Sequence, residues 1–419
     1  MPDLALPGHG MTQPPEAECG TLRGSIPLVA AAFVVSFVLI GGGLDTVGVF
    51  INAIAHADGW ARSGLSVGVA VGGVVAALST PVVGMGVDRW GVRLPMLVGV
   101  AFLAVGFGIV VSMQAPWHFV VANAFLGVGF AGCALLPLTI AISVRVRDRT
   151  ALALGIAGTG ASVGALVLAP AAQAGIEALG WRGTYSLLGP LVVLTPLPFL
   201  AFALPRGRLA RPSAGEQPHP GLPSLRELAR PGLCGLVALM VLPGLATFAV
   251  SVHLVPYLTD AGVSAATAAF ALGATIGMTA VGKLAGGWLS DRFGSLPMMR
   301  AALFLGAVAL ALLPAASSPT YLALFVALYG IALGTYAAVI PALAMETLGG
   351  ERFGTLFGLL QLLAMLAAAA GPITAGVLFD ATGHYDEAMG IWIGALAAAL
   401  GVALVMRPHA HPAPLQQSA

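Results

Sequence analysis

The chain alternates long apolar runs with short polar ones. Twelve runs are long enough to cross about 30 Å of hydrocarbon as helices of about 20 residues. They cover approximately 26–55, 64–84, 94–113, 117–144, 150–178, 184–204, 232–258, 264–289, 296–315, 320–345, 353–379 and 387–406. None alternates apolar and polar positions as a barrel strand does, so helices are predicted throughout; Gly and Pro inside them are tolerated in a bilayer. One long polar interruption, 206–231, holds Arg206, Arg208 and Arg211, then Pro, Ser and Gly, then the short stretch Ser224 to Arg230. It divides six predicted helices from six. The expected organisation is an N-terminal tail over 1–25, a six-helix bundle over 26–205, a linker over 206–231, a second bundle over 232–406 and a tail over 407–419.

Two of the polar turns are alike. Gly84-Met-Gly-Val-Asp88-Arg89-Trp-Gly91 returns roughly 200 residues later as Gly287-Trp-Leu-Ser-Asp291-Arg292-Phe-Gly294, and each is followed by a proline and methionine that open the next run. A second echo supports the first: Arg149, Gly155 and Pro170 in the fifth run answer to Arg352, Gly358 and Pro372 in the eleventh. The chain therefore reads as two related halves. Such halves enclose a cavity at their interface near the bilayer midplane and open it to each side in turn.

Composition removes the soluble alternatives. With 58% hydrophobic and 8% charged residues over 419 positions, there is too little polar surface to cover a globule in water. A net charge of +1 gives no basis for nucleic-acid binding. Cys19, Cys133 and Cys234 are scattered, and no His or Cys cluster, phosphate loop or nucleophile elbow is present, so no catalytic residue, metal or cofactor is expected. The first 24 residues lack the basic and apolar regions of a cleaved leader. Of the 18 basic residues, all but Lys283 are arginines. With both termini cytoplasmic, Arg62 and Arg182 alone fall in outer loops, whereas the inner loops and tails hold Arg23, Arg89, Arg93, Arg145, Arg147, Arg149 and the rest, a strong positive-inside bias. Trp60, Trp117 and Trp181 then fall at the outer interface as belt residues. The expected location is the cell (inner) membrane, as a multi-pass monomer in the lipid bilayer.

The doubled Asp-Arg turns and the twelve runs resemble the major facilitator superfamily over almost the whole chain. Two stretches are more specific. Asp58-Gly-Trp-Ala-Arg-Ser63 is similar to the first outer loop of the monocarboxylate porters and their oxalate and formate relatives, and Leu152-Ala-Leu-Gly-Ile-Ala-Gly-Thr-Gly160 through Gly164 is similar to their fifth-helix signature. Gly160 and Gly164 have the spacing that lets a neighbouring helix approach. The chain departs from the animal members before the first helix, where it reads Arg23-Gly-Ser-Ile-Pro27 in place of their acidic motif. The resemblance implies an all-α fold of two pseudo-symmetric six-helix bundles and transport of a small organic anion, a mono- or dicarboxylate, coupled to protons or to a counter-substrate. It also implies that Asp88 meets the start of the eleventh helix near Arg352 and Gly354, and Asp291 the start of the fifth near Arg149. Gly84, Asp88, Arg89, Gly91, Arg149, Gly287, Asp291, Arg292, Gly294 and Arg352 thereby become candidate gating residues.

Ionisable residues inside spans are expensive and therefore informative. Asp45 stands on the first helix after three glycines, and Lys283 on the eighth, where the resembling family keeps a cation for the substrate carboxylate. At the place of Asp45 the animal porters carry a lysine, so the sign is reversed. Counted from the cytoplasmic ends, the two backbones are separated by roughly 19 Å along the normal, too far for a direct pair. Lys283 then either faces substrate or snorkels toward Asp291, and Asp45 either carries a coupling proton or is wetted by the outer vestibule. Asn123, His253, Tyr257, Tyr329, Tyr336 and Gln361 supply polar or aromatic tips in otherwise apolar spans and are further candidates for the cavity lining. The alternatives left open are efflux of drug-like compounds, whose fourth-helix arginine and fifth-helix Gly-Pro step are absent here, and a non-transporting receptor.

Overall fold

The computed structural model describes residues 20–203, 230–349 and 352–406; most of the expected linker and of both tails lies outside the described residues. Among those residues every regular element is helical. Eleven continuous stretches are long and apolar enough to cross a membrane. The longest is two helices that meet at Gly180, whose φ of 72° is a left-handed conformation no helix interior holds. Twelve segments result. They are α1 (Arg23–Asp58), α2 (Arg62–Trp90), α3 (Arg93–Ser112), α4 (Pro116–Arg145), α5 (150–179), α6 (181–203), α7 (Pro231–Asp260), α8 (Ala265–Phe293), α9 (Ser295–Ala315), α10 (Pro319–Leu348), α11 (Phe353–Thr382) and α12 (Asp386–Val405).

Packing repeats between the halves. In the first, α2 and α3 pack on α4, and α1 packs on α5; in the second, α8 and α9 pack on α10, and α7 packs on α11. The halves meet along two seams, α2 against α11 and α5 against α8. The glycine pair in α5 does what its spacing implies: a Cβ at Gly160 or Gly164 would collide with the carbonyls of Phe33 and Phe37, so α1 lies directly on the α5 backbone. Outward faces are apolar. Phe270 is 75% exposed and Leu187 66% exposed, which suits lipid and not water. Trp181 is the exception to the expected belt. It is 4% exposed, under the Arg182 guanidinium and edge-on to Tyr185, and so belongs to the first bundle's core.

Two segments are not plain α-helices. In α1 the stretch Phe37–Leu44 is π-helical, and the Asp45 amide closes it by donating to the Ile40 carbonyl at 2.9 Å. A π-turn displaces the residues after it around the helix axis, a distortion often found at functional sites. α4 breaks at Ala134, just before Pro137. The described chain begins and ends at one end of the molecule. There the Arg147 amide donates to the Gly20 carbonyl beside the start of α5, and Arg300, near the start of α9, donates to the carbonyls of Ala403 and Met406.

Candidate functional site

At that same end the two charged turns meet helix starts. The Asp291 carboxylate accepts the amides of Ala151 (2.9 Å) and Leu152 (2.8 Å) in the first turn of α5. The Asp88 carboxylate accepts the amides of Gly354 (2.9 Å) and Thr355 (2.7 Å) in the first turn of α11, and the Thr355 hydroxyl at 2.6 Å. One offset of 203 residues carries Asp88 to Asp291 and Ala151 to Gly354, so the two latches are pseudo-symmetric copies. Helix starts leave amides without intrahelical partners and carry the positive end of the dipole, and a carboxylate answers both. Arg352 and Arg149 attract these carboxylates, and Asp148 opposes the second. Arg352 adopts φ 53°, the only left-handed non-glycine among the described residues. A Cβ at Gly84 would collide with the Gly354 carbonyl, and one at Gly287 would come within 2.6 Å of the Ala151 carbonyl, so each latch needs its glycine. Gly91 and Gly294, at φ 78° and 94°, end α2 and α8. Arg89 lies over the Trp90 ring and Arg292 over Trp288 and Phe293.

Deeper along the α5–α8 seam stands Lys283. Its carbonyl fills the space that Gly155 leaves, its stem passes over Gly158, and its ammonium donates to the Gly158 carbonyl (2.9 Å) and the Ser162 hydroxyl (2.8 Å). Ser162 in turn lies 3.1 Å from the Thr279 hydroxyl. From the level of Gly155 to that of Ser162 is two helical turns, about 10 Å. The side chain therefore climbs away from Asp291 instead of snorkelling to it. This climb brings the ammonium within electrostatic reach of Asp45, exposed at the end of the π-helical stretch, although no direct ion pair joins the two. The expected separation along the normal counted backbones and missed both the direction of the lysine and the π-turn. Gln361 is half-buried on the α11 face that carries Gly354 and Gly358, so it stands at the head of the other seam.

Other candidates are turned elsewhere. Asn123 is 8% exposed, donates to the Phe119 carbonyl of its own helix at 2.8 Å, and packs on Gly72 between α2 and α4. Tyr336 donates to the Leu239 carbonyl at 3.1 Å. Pro243 has no N–H to offer that carbonyl, so Tyr336 repairs the backbone of α7. Tyr329 is 2% exposed, stacks on Phe325, and has no hydroxyl partner among the described residues. Both tyrosines line a small, partly open space of about 20 Å³ with Pro243 and Thr247, walled by α7, α9, α10 and α12 of the second bundle. His253 and Tyr257 lie at the end opposite the latches. The His253 Nε2 is 3.1 Å from the Pro372 carbonyl, which only accepts, so Nε2 carries the proton and Nδ1 faces the Tyr385 hydroxyl at 3.1 Å. Tyr257 meets Tyr385 edge-on. Burial first, then the Asp260 and Asp380 carboxylates, push the Tyr385 phenol above its usual range.

The sequence reading missed Ser162, Thr279, Thr355 and Thr80. For Thr80 the offset of 203 was the signal. Applied to Lys283 it lands on Thr80, whose hydroxyl crosses the other seam to the Gly358 carbonyl at 3.2 Å.

The comparisons with known proteins agree with this architecture. The family profile described as Major Facilitator Superfamily matches residues 33–285 and 278–419. "Monocarboxylate transporter 13" of Bos taurus is 29% identical over 406 residues, covering 95% of this chain and 91% of its own. "Monocarboxylate transporter 11" of Mus musculus is 30% identical, covering 77% and 72%. Among solved structures, the fucose transporter FucP in the outward conformation aligns with a TM-score of 0.72 at 16% identity, over 90% of this chain and 97% of its own. The human organic anion transporter MFSD10 aligns with a TM-score of 0.68 at 19% identity, over 93% and 100%. At those identities the structures speak for the fold.

Proposed function

Because the chain belongs to the Major Facilitator Superfamily and is a transporter rather than an enzyme, we propose that it moves a small organic anion, a mono- or dicarboxylate, by alternating access, with protons or a counter-substrate as the coupled species. The observation that carries the substrate class is the Lys283 ammonium at the head of the α5–α8 seam, hydrogen-bonded to neutral oxygens alone, with Asp45 within electrostatic reach but in no direct pair with it. A carboxylate bound there forms charge-assisted bonds in a site of low dielectric. The names of the curated relatives point the same way. We assign the latch end to the cytoplasm of a cell-membrane protein and the open side of the inter-bundle cavity to the opposite end, with the two bundles at 26–205 and 232–406 rocking one against the other. Asp45 is the proposed carrier of the coupling proton.

Uptake into proteoliposomes against a panel of mono- and dicarboxylates, with and without a pH gradient, tests this reading. Lys283→Ala is expected to abolish anion uptake and Lys283→Arg to retain part of it, since charge is kept while a point donor becomes a planar fork. Normal uptake by Lys283→Ala, or a cationic substrate, refutes the carboxylate reading and favours efflux of apolar compounds.

A further inference from the structure

The two seams are copies in backbone but not in the side chain at their centre. At the α2–α11 seam the Thr80 hydroxyl spans the gap to the Gly358 carbonyl directly. The same offset pairs Lys283 with Gly155, yet Lys283 passes the Gly155 carbonyl and closes on Gly158 and Ser162, farther from the latch end. One seam is thus tied by a short hydroxyl enclosed between the helices. The other is tied by a cation.

We infer that the Lys283 ammonium, gripping Gly158 and Ser162 of the opposite bundle, is a clasp between the bundles that a bound anion releases. Parting α5 from α8 at the latch end breaks both N–H···O bonds and draws the half-buried ammonium away from Asp45, which stands on α1 of the first bundle, so the charge is left without a direct partner at a cost. A carboxylate on the ammonium replaces the two neutral acceptors with a stronger one and leaves the charge compensated after the helices part. The anion therefore binds the parted state better than the latched one, and such a difference is what shifts a conformational equilibrium. Ser162 is a positioning residue in this scheme. Its hydroxyl holds the ammonium in the latched state, and Thr279, at 3.1 Å, orients that hydroxyl. This inference rests on the anion reading for its trigger and on geometry alone for the clasp.

The test uses nitroxide labels at Trp90 and Phe293, exposed residues at the latch ends of α2 and α8 in opposite bundles, in a background with the native cysteines replaced. Distances are measured by pulsed electron resonance in nanodiscs, with acetate, lactate, oxalate and benzoate as probes. Ser162→Ala is expected to raise the ratio of parted to latched molecules about tenfold without any anion, the weight of one hydrogen bond to a charged group. In the parent the effective anion is expected to raise the same ratio, and in Lys283→Ala to leave it unchanged. No rise in Ser162→Ala overturns the clasp, and if an anion still shifts the parent but not Lys283→Ala, the proposed function stands without it. A rise in Ser162→Ala with no response of the parent to any probe overturns the anion trigger and the carboxylate reading together.

Discussion

Replacing the latch carboxylates by amides separates gating from substrate binding, because Asp88 and Asp291 touch helix starts and not the cavity. Asp88→Asn keeps one acceptor oxygen but turns an NH2 group toward donors, so of the three bonds from Gly354 and Thr355 at least one is lost and the remainder become neutral. A bond to a charged group is worth about 1.5–3 kcal/mol against about 1 kcal/mol for a neutral one. The charge at the helix start adds about 0.3–1 kcal/mol. Asp88 is exposed, so the low ends apply, and the latched state loses about 2 kcal/mol, a factor of about 30. Asp291→Asn loses one of two amide bonds in a half-buried setting and is expected to shift the equilibrium similarly. The two latches share no partner, so the double variant is expected to add, to about 4 kcal/mol, a factor of about 1,000. The assay pairs the Trp90–Phe293 label distance with turnover and with equilibrium anion affinity. The parted population rises, turnover falls because return to the latched state is slow, and affinity changes modestly. Normal turnover in both single variants, or an unchanged distance distribution in the double, refutes the reasoning.

Tyr336→Phe leaves the Leu239 carbonyl without a donor and is expected to lower thermal stability by about 1 kcal/mol, whereas Tyr329→Phe, which removes a hydroxyl without a partner, is expected to be neutral or stabilising; melting curves of the two variants in detergent check the contrast, and equal losses contradict it. Asp45→Asn is expected to abolish accumulation driven by a pH gradient and to spare counterflow exchange; retained accumulation removes Asp45 from the coupling step. Cysteine probes placed near Asp58 and Asp260 are expected to react with an impermeant reagent applied from outside, and probes near Arg147 are not; the reverse pattern inverts the proposed orientation.

The twelve spans and the doubling were legible because each rests on a pattern the chain must show, whereas the pairing of charged turns with helix starts came from the resemblance to the family. A bilayer sets the length of apolar runs, and a duplicated latch repeats its Asp, Arg and Gly at one spacing. The relation between Asp45 and Lys283 was not legible. A count of residues locates Cα atoms, but the lysine side chain carries its ammonium from the level of Gly155 to the Gly158 carbonyl, about one helical turn or about 5 Å along α5, and three glycines before Asp45 allow a π-turn that shifts it around the axis. Neither displacement is visible in the spacing of apolar positions.

Tyr336 and Asn123 show why polar residues in apolar spans were over-assigned to the cavity. Such a residue has two physical reasons to exist: to meet a substrate, or to answer a backbone group that the helix itself leaves open. Proline makes the second reason countable, since each one inside a span frees the carbonyl four residues before it. Pro243 frees Leu239, and Tyr336 answers it from α10; Pro81 frees Ala77, and Thr80 answers it at 2.7 Å, sharing its one proton with the Gly358 carbonyl at 3.2 Å. Charging polar side chains to these carbonyls first removes Tyr336 from the cavity list and leaves Lys283 on it. The Gly158 carbonyl is not four residues before a proline, so the lysine that grips it repairs nothing. An ammonium that crosses between bundles without a backbone defect to mend is there for the seam and for what reaches it from the cavity.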